Sequence, residues 1–133
     1  MNHVLRALVA FSLLYSGVAL AVCSCPGGTG SPEDRLEAYD RVFIGLKTKG
    51  RPWGCGSDRG HTTVFLVTED FKGTSVDEEI TLFHDTNTDE CGRRYGPGEH
   101  LVYLNGDEAD LCDPGGDILE AEREIEDLRA LTQ

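Results

Sequence analysis

Basic residues are scarce in this sequence. Its 133 residues include 12 lysines and arginines against 24 aspartates and glutamates, for a formal net charge of −12. Nucleic acids and anionic membranes both select basic protein surfaces, so this charge argues against either as a partner. It identifies no other partner, because an acidic balance of this size is also typical of an ordinary soluble surface.

The sequence also lacks an apolar run long enough to cross a membrane. The apolar stretch from Ala7 to Tyr15 follows Arg6 and contains Ser12 as its one polar interruption. It is shorter than the roughly 20 residues that a membrane-spanning helix needs. A membrane anchor is therefore the weaker interpretation of this segment.

A secretory signal peptide explains the N-terminus better. Such a peptide combines a basic start, a short apolar stretch and a small-x-small cleavage site, which Ala19-Leu20-Ala21 supplies. We predict that residues 1–21 are removed after Ala21 and that residues 22–133 form one mature domain. Loss of Arg6 makes that domain one charge more negative. We expect it to work outside the cytoplasm, secreted to the extracellular space or kept in a periplasm.

The cysteine count is odd, so not every thiol can pair within the chain. The cysteines, all in the predicted mature domain, are Cys23, Cys25, Cys55, Cys91 and Cys112. A secreted domain of this size buries a modest core and is commonly supplemented by disulfides. Two bridges and one remaining thiol is the simplest arrangement, and the sequence alone does not assign the pairing.

The start of the mature chain predicts an extended arm followed by a short helix. Residues 22–30 are rich in Cys, Pro and Gly and have no apolar periodicity. Ser31 suits a helix N-cap, Pro32 suits the first helical position, and the two acidic residues that follow suit the positive end of the helix dipole. We expect this helix to end near Tyr39.

The centre of the chain predicts strands separated by glycine-rich and polar loops. Alternating apolar and β-branched residues place strands at 41–47, 62–68, 76–83, 100–104 and 109–112. Loops or turns are expected at 50–60, Lys72-Gly73, 85–98 and Asn105-Gly106.

The C-terminus predicts a second helix. Asp117 with Glu120 makes a capping box. Apolar residues recur at three- and four-residue steps and line one face, namely Ile118, Ala121, Ile125, Leu128 and Leu131.

Five short strands with a helix at each end and no repeats predict a mainly β fold, for which the five-stranded OB-fold barrel is the natural candidate. We expect the last helix to pack on this barrel; a partner-binding helix is the alternative.

An ordered set of short motifs resembles a known family. The motifs are Cys23-Ser24-Cys25, Tyr39-Asp40-Arg41-Val42-Phe43-Ile44-Gly45, Phe71-Lys72-Gly73, Cys91-Gly92, Gly98-Glu99-His100-Leu101-Val102-Tyr103 and Leu111-Cys112. In this order, with a helix after them, they resemble the N-terminal domain of the tissue inhibitors of metalloproteinases, and more closely the small bacterial relatives of that domain. The resemblance covers nearly all of residues 23–131 and implies an OB-fold barrel.

The resemblance also implies disulfides Cys23–Cys91 and Cys25–Cys112, with Cys55 unpaired. Each bridge would close a long loop, which the chain-entropy model values at roughly 4 kcal/mol. Together the bridges would fasten the N-terminal arm, which has no apolar anchor of its own.

In the resembled family this arm is an inhibitory wedge. By resemblance, the α-amino group and carbonyl of Cys23 would ligate the catalytic zinc of a target protease, and Ser24 would point into its specificity pocket. Thr88, Asp89 and Glu90, held beside the arm by the bridge to Cys91, would add contacts. A catalytic zinc keeps an open position for such ligands, and a fastened wedge binds without a large ordering cost.

Three features depart from the family pattern. Cleavage after Ala21 leaves Val22 ahead of Cys23, so the α-amino group would belong to Val22 and the chelate would be lost. Asp89-Glu90 places negative charge beside the wedge, and Cys55 lies in a local insertion with no counterpart in the two-bridge pattern. Lipidation of Cys23 is a further possibility, since Leu20-Ala21-Val22-Cys23 is similar to a lipoprotein signal. It would preclude a disulfide at Cys23 and place the domain on a membrane.

Other chemistries of the cysteines and histidines have weaker support. A protein-held zinc site from Cys23, Cys25 and Cys55 with a histidine lacks the usual paired spacing, and an oxidising compartment favours disulfides. A nucleophilic Cys55 with His61 or His84 as base has no identifiable third group to orient the base. We therefore expect no enzyme activity and no cofactor.

The acidic and aromatic residues have structural interpretations. Residues 85–89 imitate the start of an EF-hand, but Glu90 and Gly96 stand where the loop needs glycine and glutamate, which leaves weak calcium binding at most. A solvated acidic face is the simplest interpretation of Asp107, Glu108, Asp110, Asp113 and Asp117. Trp53, Phe65 and Phe83 could stack nucleic acid bases on an OB-fold, but the negative charge favours packing.

The sequence thus favours a secreted inhibitor-like domain directed at zinc metalloendopeptidases, with the Cys-Ser-Cys arm as its wedge. The rival hypothesis is a non-inhibitory, netrin-like binding module outside the cytoplasm.

The processed N-terminus separates these hypotheses. We expect the naturally secreted, non-reduced protein to start at Val22 and to have a mass four hydrogens below the fully reduced chain, as two disulfides require. N-terminal sequencing and intact-mass measurement test both points. A start at an unmodified Cys23 would contradict the predicted cleavage site and supply the free α-amino group that zinc chelation needs, whereas a lipid on Cys23 would exclude its disulfide.

Overall fold

The fold is mainly β, as predicted, with a helix near each end of the described chain. The computed structural model describes residues 30–53, 60–84, 95–109 and 114–133. Its elements are α1 (Pro32–Ala38), β1 (Arg41–Trp53), β2 (Gly60–Lys72), β3 (Glu79–His84), β4 (Glu99–Leu104), β5 (Gly116–Asp117) and α2 (Glu122–Thr132). The strands form one antiparallel sheet in the order β3-β2-β1-β4-β5.

The first helix begins where the sequence predicts. The Ser31 side chain accepts a hydrogen bond from the Asp34 backbone, and the Asp34 side chain accepts one from the Ser31 backbone in return. This reciprocal pair is a capping box, with Pro32 at the first helical position. Lys72 donates from Nζ to the carbonyl of Leu36 at 2.9 Å, which satisfies an acceptor near the helix C-terminus.

The β1–β2 hairpin is much longer than the sequence predicts. The two strands pair from Val42↔Lys72 to Trp53↔Gly60, so the expected loop at 50–60 is wrong at both of its ends. Residues 48–51 are exposed and mostly polar, so they have no apolar alternation to reveal a strand. Backbone pairing with β2 continues through this stretch and extends the hairpin.

Two glycines allow the chain to turn and to pack closely along this hairpin. Gly73 follows β2 with φ +73°, and a Cβ there would stand 2.5 Å from the carbonyl oxygen of Asp40. The predicted Lys72-Gly73 turn is thus confirmed and requires glycine. At Gly45, beside a bulge in β1, a Cβ would meet the rings of Phe43 and Phe65 at 2.9 to 3.2 Å.

The third and fifth strands differ from prediction. β3 begins at Glu79, because Val76 lies in a turn with 56% of its surface exposed and Asp77 has φ 69°. The fifth described strand is Gly116–Asp117, which pairs with His100 and Leu101 of β4 and was not predicted. A strand of two residues has no side-chain periodicity by which the sequence could reveal it. Of the strand expected at 109–112, Ala109 is in no strand, and residues 110–112 lie outside the described ranges.

The second helix begins later than predicted. Asp117 caps a turn, with its carboxylate accepting from the Leu119 backbone at 2.9 Å, and the helix proper starts at Glu122. The predicted apolar face is confirmed at Ala121, Ile125 and Leu128, which are buried. Neither described helix has the length and apolar character needed to cross a membrane.

The core is divided between the two faces of the sheet. One cluster holds Phe43, Phe65, Val67, Ile80, Leu82, Tyr95, Val102 and Leu104. The other holds Val42, Ile44, Leu101, Tyr103, Ala121, Ile125 and Leu128, with Leu36 and Tyr39 packed against it. Neighbouring residues of β1 and β4 alternate between the clusters, so both strands are buried on both faces.

One carboxylate joins the two helices to the sheet. Glu124 of α2 accepts from Arg35 of α1 at 2.9 Å (Nε) and 2.6 Å (Nη2), and from the hydroxyl of buried Tyr103 in β4 at 2.7 Å. The side chains of Arg35 and Glu124 are only 17% and 13% exposed. The hydrogen bond to Glu124 raises the pKa of the Arg35 guanidinium above its ordinary value.

Glu124→Gln should therefore destabilise the fold. The amide keeps the shape but removes the negative charge, leaving a partly buried guanidinium without its counter-ion, at a cost of about 2 kcal/mol in the free energy of unfolding. Urea unfolding of the mature protein measures this. The matched control is Glu126→Gln on the exposed side of the same helix, which should change stability by about 0.5 kcal/mol or less. Equal effects of the two substitutions would contradict the role of Glu124.

Candidate functional site

The residues that the sequence predicts as the inhibitory wedge lie outside the described ranges. These are Cys23, Ser24, Cys25, Thr88, Asp89 and Glu90, together with the other expected disulfide partners Cys91 and Cys112 and the expected free thiol Cys55. The wedge, the disulfides Cys23–Cys91 and Cys25–Cys112, and the unpaired state of Cys55 thus stay predictions. What the structure does give is the set of residues at which those segments join the fold.

The N-terminal arm joins the fold at a fixed point. Gly30, the first described residue, accepts a hydrogen bond through its carbonyl from Nη1 of Arg35. The same guanidinium is held by Glu124 through Nε and Nη2. Because Glu124 also binds Tyr103, the position of Gly30 is tied to both helices and to β4.

The segment 85–94, which carries the remaining wedge residues, joins the fold at two neighbouring residues. His84 ends β3, and Tyr95 is the next described residue. Their rings meet edge to face with centroids 5.1 Å apart, and both residues are buried. Lys47 of β1 donates from Nζ to the Tyr95 carbonyl at 2.8 Å, which fixes the backbone at the return point.

A histidine and aromatic cluster supports these two residues. The His84 Nε2 lies 2.7 Å from the buried Thr63 hydroxyl, and the His61 ring lies 5.6 Å from the His84 ring. On the other side, the Tyr95 ring contacts His100 at 5.4 Å and Phe65 at 5.1 Å. His100 donates from Nε2 to the Gly96 carbonyl at 2.8 Å, which sets the tautomer of that imidazole.

The chemistry available to this cluster is hydrogen bonding and packing. His84 and His100 are 5% and 4% exposed; Nε2 of His84 lies within hydrogen-bond distance of the Thr63 hydroxyl, and Nε2 of His100 donates to the Gly96 carbonyl. Within the described residues, no group of three or more His, Cys, Asp or Glu side chains is placed to hold a metal ion. The cluster positions the two ends of segment 85–94 through the contact between His84 and Tyr95.

Sequence reasoning considered His61 and His84 only as bases for Cys55 and did not find the cluster. A signal was present, since Ile80, Leu82 and His84 alternate with exposed residues along β3 and continue inward. The two-residue period of a strand places His84 on the same buried face of the sheet as Ile80 and Leu82. The partnership with Tyr95 and His100 depends on tertiary contacts that a strand pattern does not contain.

Of the acidic face predicted from the sequence, two described members have specific bonds. Asp107 pairs with Nη2 of Arg41 at 2.5 Å, and Asp117 caps the turn before α2. Glu108 is exposed, while Asp110, Asp113 and the calcium-like segment 85–89 are outside the described residues.

The aromatic stacking platform considered for Trp53, Phe65 and Phe83 is wrong as a joint surface. Phe65 is fully buried in the core, whereas Phe83 is 47% exposed on the edge strand. Only exposed rings can receive a nucleic acid base. Packing, the alternative that the charge favoured, is confirmed for Phe65.

Comparison with known proteins assigns the chain to no family. No protein-family model matches the sequence, and no curated protein is significantly similar to it.

Thr63→Val should loosen the histidine cluster. The substitution keeps the shape of the side chain but removes the hydroxyl beside the buried His84 ring nitrogen, which should cost about 2 kcal/mol of stability. Urea unfolding measures the loss. Thr81→Val, at an exposed position of β3, is the control and should have little effect. A Thr63→Val protein as stable as the control would show that the hydrogen bond contributes nothing.

Proposed function

We propose that the chain is a secreted inhibitor of zinc metalloendopeptidases, similar to the tissue inhibitors of metalloproteinases, in which the arm beginning at Cys23 is the wedge. The observation that carries the proposal is the ordered cysteine framework: Cys23-Ser24-Cys25, then Cys91-Gly92, then Leu111-Cys112. In the resembled family these cysteines fasten the arm through bridges that here would be Cys23–Cys91 and Cys25–Cys112.

The described contacts support a fastened arm. An inhibitory wedge needs a base that does not move when the target binds, because ordering it would weaken binding. Arg35 and Glu124 hold Gly30 on the N-terminal side, and the His84–Tyr95 contact brings together the two ends of segment 85–94. Bridges from the arm to Cys91 and Cys112 would complete this support.

The proposal includes closure of the five-stranded sheet into an OB-fold barrel. Its support lies at the outer edge of β3, where the Phe83 backbone donates to the Asp107 carbonyl at 2.9 Å and Phe83 forms a parallel bridge with Glu108. This contact links one edge strand to the chain that leaves β4. The bulges in β1 add support, since bulges bend and coil strands in the way that closure requires.

The chemistry of inhibition in this proposal is metal ligation without turnover. The α-amino group and carbonyl of Cys23 would occupy the open position of the target's zinc, with Ser24 in the specificity pocket and Thr88, Asp89 and Glu90 beside it. The chain supplies no catalytic residue of its own. A free α-amino group on Cys23 is essential, so the mechanism requires cleavage after Val22.

A non-inhibitory binding module, similar to netrin-type domains, is the second candidate. The observation that favours it is Ala19-Leu20-Ala21, because cleavage after Ala21 leaves Val22 ahead of Cys23 and removes the chelating amine. This candidate predicts a protein partner recoverable by pull-down from the extracytoplasmic space. It also predicts that extra residues at the N-terminus have no effect.

A panel of zinc endopeptidases tests the inhibitor proposal. We expect purified protein that begins at Cys23 to inhibit at least one member at micromolar concentration or below, whereas protein that begins at Val22 should not inhibit. One alanine added before the mature N-terminus should abolish this inhibition, because it converts the first amine to an amide. The control carries the same alanine after Gln133 and should inhibit normally.

Two results would contradict the inhibitor proposal. One is the absence of inhibition across the panel by protein that begins at Cys23 and whose disulfides and fold are intact. The other is inhibition that is equally strong with and without the added N-terminal alanine, which would exclude the α-amine mechanism and place the contact elsewhere on the domain.

A further inference from the structure

An open groove runs between α2 and the sheet, on the face covered by the second core cluster. Its volume is about 390 Å³. The floor is apolar, with Ile44 from β1 and Ile118 and Ile125 from the C-terminal segment. A groove of this kind offers a contact surface that neither of the two described helices fills.

Two exposed leucines extend the apolar surface. Leu119 lines the groove and is 82% exposed, held outward by the turn in which its backbone donates to Asp117. Leu46 is 39% exposed and lies opposite Glu99 in the β1–β4 register. Directly opposite residues share a face of the sheet, so Leu46 and the groove residue Glu99 are on the same side.

The groove carries an excess of negative charge. Arg129 is the one arginine among the described residues that line the groove. It is already bonded to Glu69 through Nε at 2.9 Å and Nη2 at 2.7 Å, which lowers the pKa of the Glu69 carboxyl. Three further carboxylates remain at the groove, from Glu99, Glu122 and Glu126. No cation among the described residues forms a salt bridge with any of these three.

Glu99 is oriented toward this side of the sheet. The hydroxyl of Thr68, which also lines the groove, donates to its Oε1 at 3.1 Å. Glu122 and Glu126 are exposed on consecutive turns of α2, so they are neighbours on one helix face. Their mutual repulsion and that of Glu99 would be relieved by a cation lying between them.

We propose that the groove between α2 and the sheet docks a protein segment in which a lysine or arginine lies next to an exposed apolar side chain. The apolar side chain contacts Ile44, Ile118 and Leu119, and the cation lies among the three carboxylates. A second copy of this chain is a poor occupant, because its net charge of −12 would bring acidic surfaces together. The proposal does not depend on metalloendopeptidase inhibition, since the described residues on which it rests are not those of the proposed wedge.

Titration of the isotope-labelled, naturally processed protein with three short peptides tests the groove. The probe is acetyl-Lys-Leu-Lys-Leu-amide; the comparison peptides replace lysine by glutamate or leucine by serine. We expect only the first peptide to shift the amide resonances of Thr68, Glu99, Leu119 and Glu122. Raising the salt from about 50 mM to about 500 mM should weaken its binding, because exposed charges are screened.

Matched variants locate the binding site. Glu122→Gln with Glu126→Gln should weaken binding of the lysine-leucine peptide by about fivefold, as expected for two exposed ion pairs. Leu119→Ser should weaken it as well. The control is Glu33→Gln with Glu37→Gln, which removes the same charge from exposed positions of α1 and should leave binding unchanged.

Three outcomes would overturn the proposal. The first is no peptide-induced shift at the groove at millimolar peptide. The second is an equal loss of affinity in the α1 and α2 charge variants, which would indicate attraction to the whole acidic surface. The third is a dimer in sedimentation equilibrium that Leu119→Ser dissociates, which would make a second copy the occupant.

Discussion

The arrangement of the two helices depends on the carboxylate of Glu124, which binds both Arg35 and Tyr103. All residues of α1 are at least partly exposed, and a helix of this length has little stability of its own. Its capping box satisfies its first turn but does not place it against the sheet. Placement comes from Arg35, whose guanidinium is bound to Glu124 while Glu124 is bound to Tyr103. Tyr103 in turn packs edge to face with Tyr39 at 5.0 Å, so the end of α1 is held by the same cluster.

The two faces of the sheet support different parts of the molecule. On one face, the helices and the aliphatic residues of β1 and β4 form a core around Tyr103. On the other, Phe65 and Tyr95 pack with buried histidines beside the ends of segment 85–94. Because β1 and β4 contribute residues to both core clusters, these two strands connect the clusters. A substitution of Glu124 would disturb the contact that holds Gly30, whereas a substitution of Thr63 would disturb the contact between His84 and Tyr95.

Local signals in the sequence predicted the parts of the fold that local chemistry determines. The Ser31 cap, the alternation through Ile80 and Leu82 and the apolar face with Ile125 and Leu128 were all visible before the structure. The distal half of β1 and the strand at Gly116 were not, because main-chain pairing holds them and their side chains carry no period. The start of α2 was misplaced because Asp117 caps a turn instead of the helix. The histidine cluster and the groove depend on residues distant in sequence, and the net charge alone could not locate three carboxylates beside an apolar floor.

The two proposed interaction regions differ in what maintains them, and this difference bears on how the domain could change its function. The wedge would depend on the processed N-terminus and on the bridges Cys23–Cys91 and Cys25–Cys112. The groove depends on α2 lying against the sheet, through the packing of Ile125 with Ile44 of β1 and the pair of Arg129 with Glu69 of β2. A chain that starts at Val22 would lose the chelating amine and keep every contact that forms the groove. The proposed binding through the groove and the proposed inhibition through the arm would therefore be separable, so the loss of one would not require the loss of the other.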